Sequence, residues 1–375
     1  MIHHVNPHAN VAQVLDNLDA IRVLDPHGML DLTERFPDQC RDALQISRDF
    51  LAAQGAPARP SSIIITGLGG SAIGGDLVRA LVEIGGDVPV IVNRDYRLPG
   101  FAGPNTLVIA SSYSGNTEET VSAYEHARDL GCPRICITSG GELARHAARD
   151  GVPCCIVPGG RPPRASTGYL FIPTLAVVAA SVDLGAQCGL NAVDASLGHL
   201  DELAAEWRRE NPVSDNPAKE LAVALHGRIP IFYGAQGWTS VLALRWKGQF
   251  NENAKVHAFA NALPEQNHNE ILGWTRASQQ SSIWSVVYLR DPQETEDQPR
   301  IARRIAVLQA VIASSAEQHE VWATGDSLME RLLGTLYYGD FVSVYAALLA
   351  GVDPTDIAGI DLLKGEMANL NGNGR

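Results

Sequence analysis

Long apolar runs are missing from this 375-residue chain, and none approaches the length of a membrane span. The first residues, Met1-Ile-His-His-Val-Asn-Pro7, lack the basic-then-apolar order of a secretory leader, so the expected location is the cytoplasm. Excess positive charge is missing as well. Twenty-nine Lys and Arg face 42 Asp and Glu, for a formal net charge of −13, which argues against nucleic acid and anionic membrane lipid as partners. The six cysteines, at 40, 132, 136, 154, 155 and 188, show no metal-ligand spacing. They are expected to be small core residues in a reducing compartment. Low-complexity segments are absent. What is present, 45% hydrophobic and 19% charged residues, is the composition of a globular protein long enough for two domains. An anionic substrate would have to be held by local donors, because the net field of the chain repels it.

Residues 1 to about 50 read as helical, with Asn17 and Asp31 as candidate caps, the latter with Glu34 three positions on as in a capping box. A Pro- and Ala-rich link, Gln54–Pro60, ends that segment. Apolar strand runs at 62–66, 88–92, 106–110, 134–138 and 154–157 then alternate with helical stretches, which predicts a parallel sheet covered on both faces. Segment 158–164 breaks the pattern, and helices are expected over 171–183 and 194–210. Asn211–Pro217 marks a second boundary. Beyond it the theme returns: a strand at 228–234 with a helix to about Lys247, strands at 282–289 and 320–324, and helices at 298–315 and 329–350. A last helix is expected over 354–368 with Pro354 at its start, followed by a frayed tail, 369–375. The expected units are therefore an N-terminal helical segment (1–60) and two α/β domains (61–210 and 211–375).

The most informative stretch is Ser111-Ser-Tyr-Ser-Gly-Asn-Thr-Glu-Glu-Thr120, which follows one buried-strand run and opens a helix at about Val121. Four hydroxyls, of Ser112, Ser114, Thr117 and Thr120, crowd that turn, and Gly115 lets the backbone bend. Unpaired N–H groups at a helix start suit a phosphate; the same residue types also cap helices that bind nothing. A second strand-to-helix turn lies upstream in Gly67-Leu-Gly-Gly-Ser-Ala-Ile-Gly-Gly-Asp76, ahead of a helix expected at 77–83. It is similar to a dinucleotide fingerprint. The acidic residue that such a site places at the end of the next strand has only an equivocal counterpart in Asp95, after Asn93 and Arg94. The hydroxyl-rich second turn favours a sugar phosphate.

Two polar clusters mark the second half. Arg245-Trp-Lys-Gly-Gln-Phe-Asn-Glu-Asn-Ala-Lys255 sets Glu252 between two Asn and near Lys247 and Lys255. A short loop leads to Pro264-Glu-Gln-Asn-His-Asn-Glu-Ile271, in which His268 is flanked by two Asn and two Glu. Lys364 stands on an otherwise apolar stretch near the C-terminus, where a lone Lys ordinarily snorkels to solvent.

Together these motifs, Gly67–Asp76, Ser112–Thr120, Phe250-Asn-Glu-Asn-Ala-Lys255 and Pro264-Glu-x-x-His-Asn-Glu-Ile271, resemble the bifunctional phosphoglucose/phosphomannose isomerases in residues and in order, from about residue 60 to the end. The resemblance implies two sugar isomerase (SIS) domains, each a doubly wound parallel sheet in an αβα sandwich. It implies that Gly70, Ser71, Ser112, Ser114 and Thr117 hold the substrate phosphate, and that Glu252 is the catalytic base. It further implies that His268 and Lys364 open the sugar ring, the His reaching in from a partner subunit of a homodimer with shared sites. Arg164, in Pro162-Pro-Arg-Ala165, is implied to stabilise the intermediate. Neither metal nor cofactor is implied.

The chemistry fits these residue types. Aldose–ketose isomerisation moves a proton between C1 and C2 through an enediolate, which a carboxylate can mediate and a guanidinium can stabilise. In the family, use of mannose 6-phosphate is linked to a small Thr about two helical turns before the C-terminal Lys. Counting back gives Ile357, with Thr355 close by, so another phosphosugar remains an open alternative. A regulator of the same superfamily would need a basic DNA-binding helix, whereas the N-terminal segment is acidic. A glucosamine-phosphate synthase would need a nucleophilic Cys at its N-terminus, where residue 2 is Ile. A non-catalytic sugar-phosphate binder would need the hydroxyl turns but not Glu252, His268 and Lys364.

Overall fold

The computed structural model describes residues 12–280 and 282–372. Three helices open it: α1 (Leu18–Leu24), α2 (Met29–Glu34) and α3 (Phe36–Gln54). Asn17 caps α1 as expected, its side-chain oxygen accepting the Asp19 and Ala20 N–H groups at 3.1 Å. Asp31 does not cap a helix; it lies inside α2, after Gly28. The acceptor at that helix start is Asp25, whose carboxylate takes the N–H groups of Met29 (2.8 Å) and Leu30 (2.7 Å). Asp31 and Glu34 bind Arg209 instead.

The first sheet holds β1 (Ser62–Thr66), β2 (Val90–Asn93), β3 (Thr106–Ser111), β4 (Arg134–Thr138) and β5 (Cys154–Ile156). All pairs are parallel, in the order β2-β1-β3-β4-β5, with Thr66 opposite Ala110. The connecting helices are α4 (Gly69–Gly85), α5 (Glu118–Asp129) and α6 (Gly141–Asp150). α4 begins at the glycine pair itself, eight residues before the expected helix, so Ser71 stands in a first helical turn rather than in a loop. α7 (Thr167–Ser181) and α8 (Leu190–Trp207) lead to α9 (Pro217–Leu225).

The second sheet holds β6 (Ile229–Ala235), β7 (Phe259–Leu263), β8 (Trp284–Arg290) and β9 (Glu317–Trp322), parallel in the order β7-β6-β8-β9. β7 occupies the stretch read as a loop from sequence. α10 (Trp238–Gln249), α11 (Glu270–Trp274), α12 (Glu294–Asp297) and α13 (Pro299–Ile312) connect the strands. α14 (Leu328–Leu349) starts with a capping box between Ser327 and Glu330. Contrary to the reading that no apolar stretch approaches a membrane span, α14 is long and apolar enough to cross one, but 94% of its apolar window is buried inside the fold, so it serves here as a core helix. α15 begins at Ala358, not at Pro354, and runs to Gly372. Pro354 cannot open the helix because its carbonyl and that of Thr355 are turned inward to accept from Arg164. Residues 369–372 continue α15, and 373–375 lie outside the described residues.

Both sheets carry helices on their faces, as expected for two SIS-type α/β units. Ile63, Ile65 and Leu170 of the first half share one continuous apolar core with Phe232, Trp246 and Phe341 of the second. Burial of this shared core holds the two sheets in one arrangement, so the seam between them has a set geometry.

Candidate active site

β1 and β3 are neighbours, so the turns at their C-terminal ends stand side by side, where open α/β sheets bind ligands. The Tyr113 N–H donates to Ser71 Oγ at 3.4 Å, joining the two turns. Ser112 Oγ and Thr117 Oγ1 lie 3.0 Å apart, and Ser112 also accepts the Gly115 N–H at 3.2 Å. Ser114 accepts the Asn116 N–H at 3.3 Å. Gly115 has φ +69, and a Cβ there would lie 1.8 Å from the Gly140 carbonyl oxygen, so this bend requires glycine. Thr117 precedes α5, yet its side chain makes no capping bond to that helix. Helix capping therefore does not consume these hydroxyls.

If these hydroxyls hold a substrate phosphate, Ser112→Ala and Thr117→Ala are expected to raise KM and leave kcat less affected, since each would remove a hydrogen bond to a charged group, worth about 1.5–3 kcal/mol, from a group that does not react. Steady-state kinetics check this; unchanged KM in both variants would put the phosphate elsewhere.

A cavity of about 180 Å³ lies between the start of α4 and the end of α10, lined among others by Gly69, Gly70, Arg94, Arg164, Lys247 and Glu252. Gly70 sits against the Arg164 segment: a Cβ there would lie 3.0 Å from the Pro163 carbonyl oxygen. Helix α10 ends in a π-helical turn, Phe250–Ala254, which carries Glu252; such turns recur at functional sites. Lys255 follows in a left-handed conformation. Its ammonium donates to the carbonyls of Glu252 (2.9 Å), Asn253 (3.2 Å) and Asp353 (2.7 Å), tying the turn to the 353–355 loop.

Arg164 is buried and points one terminal nitrogen at Glu252 Oε2, 3.5 Å away. Burial pushes its guanidinium below the ordinary value, opposed by the charges of Glu252 and Asp353. Arg245 donates to the Arg164 carbonyl (3.2 Å) and pairs with buried Asp340 at 2.9 and 2.7 Å. Removal from water pushes the Asp340 carboxyl up, against the pull of Arg245.

The structure thus brings Arg164 and Glu252 together beside Gly70. It does not bring His268 and Lys364 there. His268 is exposed, on a short 3₁₀ turn (Glu265–His268) after β7, and does not line the cavity. Part of its polar cluster is structural: Glu270 accepts from Tyr233, and from Asn261 at 2.6 Å. Lys364 lies on α15 with its side chain 69% exposed, 3.9 Å from Asp361. Of the two positions reached by counting back from Lys364, Thr355 is bonded to Arg164 through its carbonyl.

Sequence reading did not assign Arg94 or Asn253 to the site. Arg94 directly follows β2 on the ligand side of the sheet and is anchored by buried Asp76; its place at a strand's C-terminal end was the available signal. The Asn253 contact with Arg164 spans 89 residues and had none.

The arrangement can be set beside known proteins. Residues 214–367 match the model of the bacterial phospho-glucose isomerase C-terminal SIS domain, and residues 58–152 that of the SIS domain. The bifunctional phosphoglucose/phosphomannose isomerase of Caldicellulosiruptor bescii is 39% identical over 344 residues, covering 91% of this chain and 99% of that protein. The chain belongs to the bifunctional phosphoglucose/phosphomannose isomerase family. The isomerase of the same name from Thermoplasma acidophilum is 37% identical over 306 residues, covering 81% of this chain and 89% of its own. Among solved structures, a hypothetical protein of Thermus thermophilus has the same fold, with a TM-score of 0.72 at 17% identity, covering 96% of this chain and 95% of that one. The isomerase family's motif residues here divide into Glu252 and Arg164, which meet in one chain, and His268 and Lys364, which stand outside that meeting.

Proposed function

We propose that the protein interconverts glucose 6-phosphate and mannose 6-phosphate with fructose 6-phosphate through an enediolate. The observation that carries this reading is Glu252 paired with Arg164 over a cavity lined by Gly69 and Gly70, the glycine pair that opens the helix carrying Ser71. The phosphate is held by Ser71, Ser112, Ser114, Thr117 and the N–H groups near Gly70. Once the ring is open, the Glu252 carboxylate removes the C2 proton of the aldose. Electron density moves onto O1, beside the Arg164 guanidinium, which cannot give up its own proton. Return of the proton from Glu252 to C1, with transfer of the O2 proton to O1, gives the ketose. His268 and Lys364 are assigned to ring opening, His268 in the site of a second copy in a homodimer. Support comes from α15, which exposes Leu362 (68%) and Leu363 (62%) beside Lys364; exposed apolar side chains of this kind mark a surface for a partner.

The experiment is a coupled assay with glucose 6-phosphate and mannose 6-phosphate, each followed as fructose 6-phosphate formed. Product is expected from both. Product from neither would overturn the reading, and product from one alone would narrow it to that epimer.

A further inference from the structure

The guanidinium of Arg164 has five N–H donors, and its partners can be followed one by one. Nε donates to Asn253 Oδ1 at 2.6 Å. One terminal nitrogen donates to the Pro354 carbonyl at 2.5 Å and the Thr355 carbonyl at 3.2 Å. Among the described residues, the other reaches only Glu252, at 3.5 Å. The three closer acceptors are all neutral. Most of the donors are therefore used to fix the plane of the group, and its carboxylate partner, Glu252, is its longest contact at 3.5 Å.

The Asn253 amide is itself oriented by a chain of protons. Ser343 Oγ donates to the Asp340 carbonyl at 2.8 Å, so toward Asn253 it can only accept. It accepts from Asn253 Nδ2 at 2.9 Å, which turns Oδ1 toward Arg164. Asn253 and Ser343 are buried, so an unpaired amide there would be costly. Asp340, in turn, is held by Arg245 and by Gln249 Nε2 at 2.8 Å.

We propose that Asn253 is a positioning residue that aims Arg164 at Glu252 and the cavity without adding a second carboxylate beside the guanidinium. The proposal rests on the reading of Arg164 given above. A carboxylate at 253 could make the same contact but would add a negative charge beside the guanidinium, which the neutral amide does not. The Ser343 hydroxyl and the Asp340 backbone supply the direction.

The test is Asn253→Asp, nearly the same in shape, with Ser343→Ala and Arg164→Gln measured alongside. For Asn253→Asp, kcat is expected to fall about 10- to 100-fold, below the loss of a whole transition-state donor, with KM changed by less than about threefold. A purely structural role would not split kcat from KM in this way. Ser343→Ala frees the amide without adding charge and should lower kcat several-fold at unchanged KM; it decides the matter if Asn253→Asp does not fold. Wild-type kcat in a folded Asn253→Asp would overturn the proposal, as would wild-type kcat in Ser343→Ala where that variant decides. If Arg164→Gln loses turnover in that case, only the role of Asn253 falls; if Arg164→Gln turns over normally, the reading of Arg164 falls with it.

Discussion

Glu252→Gln is expected to lower turnover by at least about 10²-fold, the scale of a lost general base, while sugar-phosphate binding survives. The side chain sits on a π-helical turn whose Glu252 and Asn253 carbonyls are held by Lys255, so replacing an oxygen by an NH₂ group leaves the turn in place. It faces the Arg164 guanidinium at 3.5 Å, and an amide still fits that space. What the amide cannot do is accept the C2 proton. The turns assigned to the phosphate above do not include residue 252, so a KM or ligand Kd near wild type should accompany the loss. Near-normal turnover would remove Glu252 from the mechanism. Loss of binding together with turnover would mean that the carboxylate organises the cavity instead.

Mixing two inactive variants, Glu252→Gln and His268→Ala, under conditions that exchange subunits is expected to restore activity. Within one chain His268 is exposed and stands apart from the Glu252 cavity, so a shared site needs a second copy to bring it in. Random exchange makes about half of the dimers mixed, and two-fold symmetry gives each mixed dimer one site with both native groups. Recovery should therefore approach about a quarter of wild-type activity, following the same symmetry argument. Proven exchange without recovery would place both groups in one subunit's site and sink the shared-site model. Sedimentation of the wild-type protein supplies the companion measurement, since a monomer at assay concentration would do the same.

Elements whose physical cause is local could be read from residue order alone. Ser62–Thr66 and Thr106–Ser111 are buried throughout; a continuous apolar run between turn residues is what a parallel strand covered on both faces requires. Glu252 and the hydroxyls around Gly115 could be singled out because their chemistry is carried by residue type and short spacing, whereas Arg164 was reached only through the family resemblance. Tertiary structure decided the rest. β7 is a half-exposed edge strand of Phe, Ala, Asn and Leu, and its weak pattern becomes a strand only because β6 offers a partner from Ile231 to Ala235. α4 begins on two glycines, poor helix formers, where packing holds the chain: a Cβ at Gly75 would meet the Ile65 side chain at 2.8 Å. α15 starts late because Arg164, from a distant segment, takes the carbonyls of Pro354 and Thr355. The path from Asp340 through Ser343 and Asn253 to Arg164 joins three parts of the chain. No local pattern encodes it, because hydrogen bonds between buried groups depend on which surfaces meet when the two sheets pack around one core.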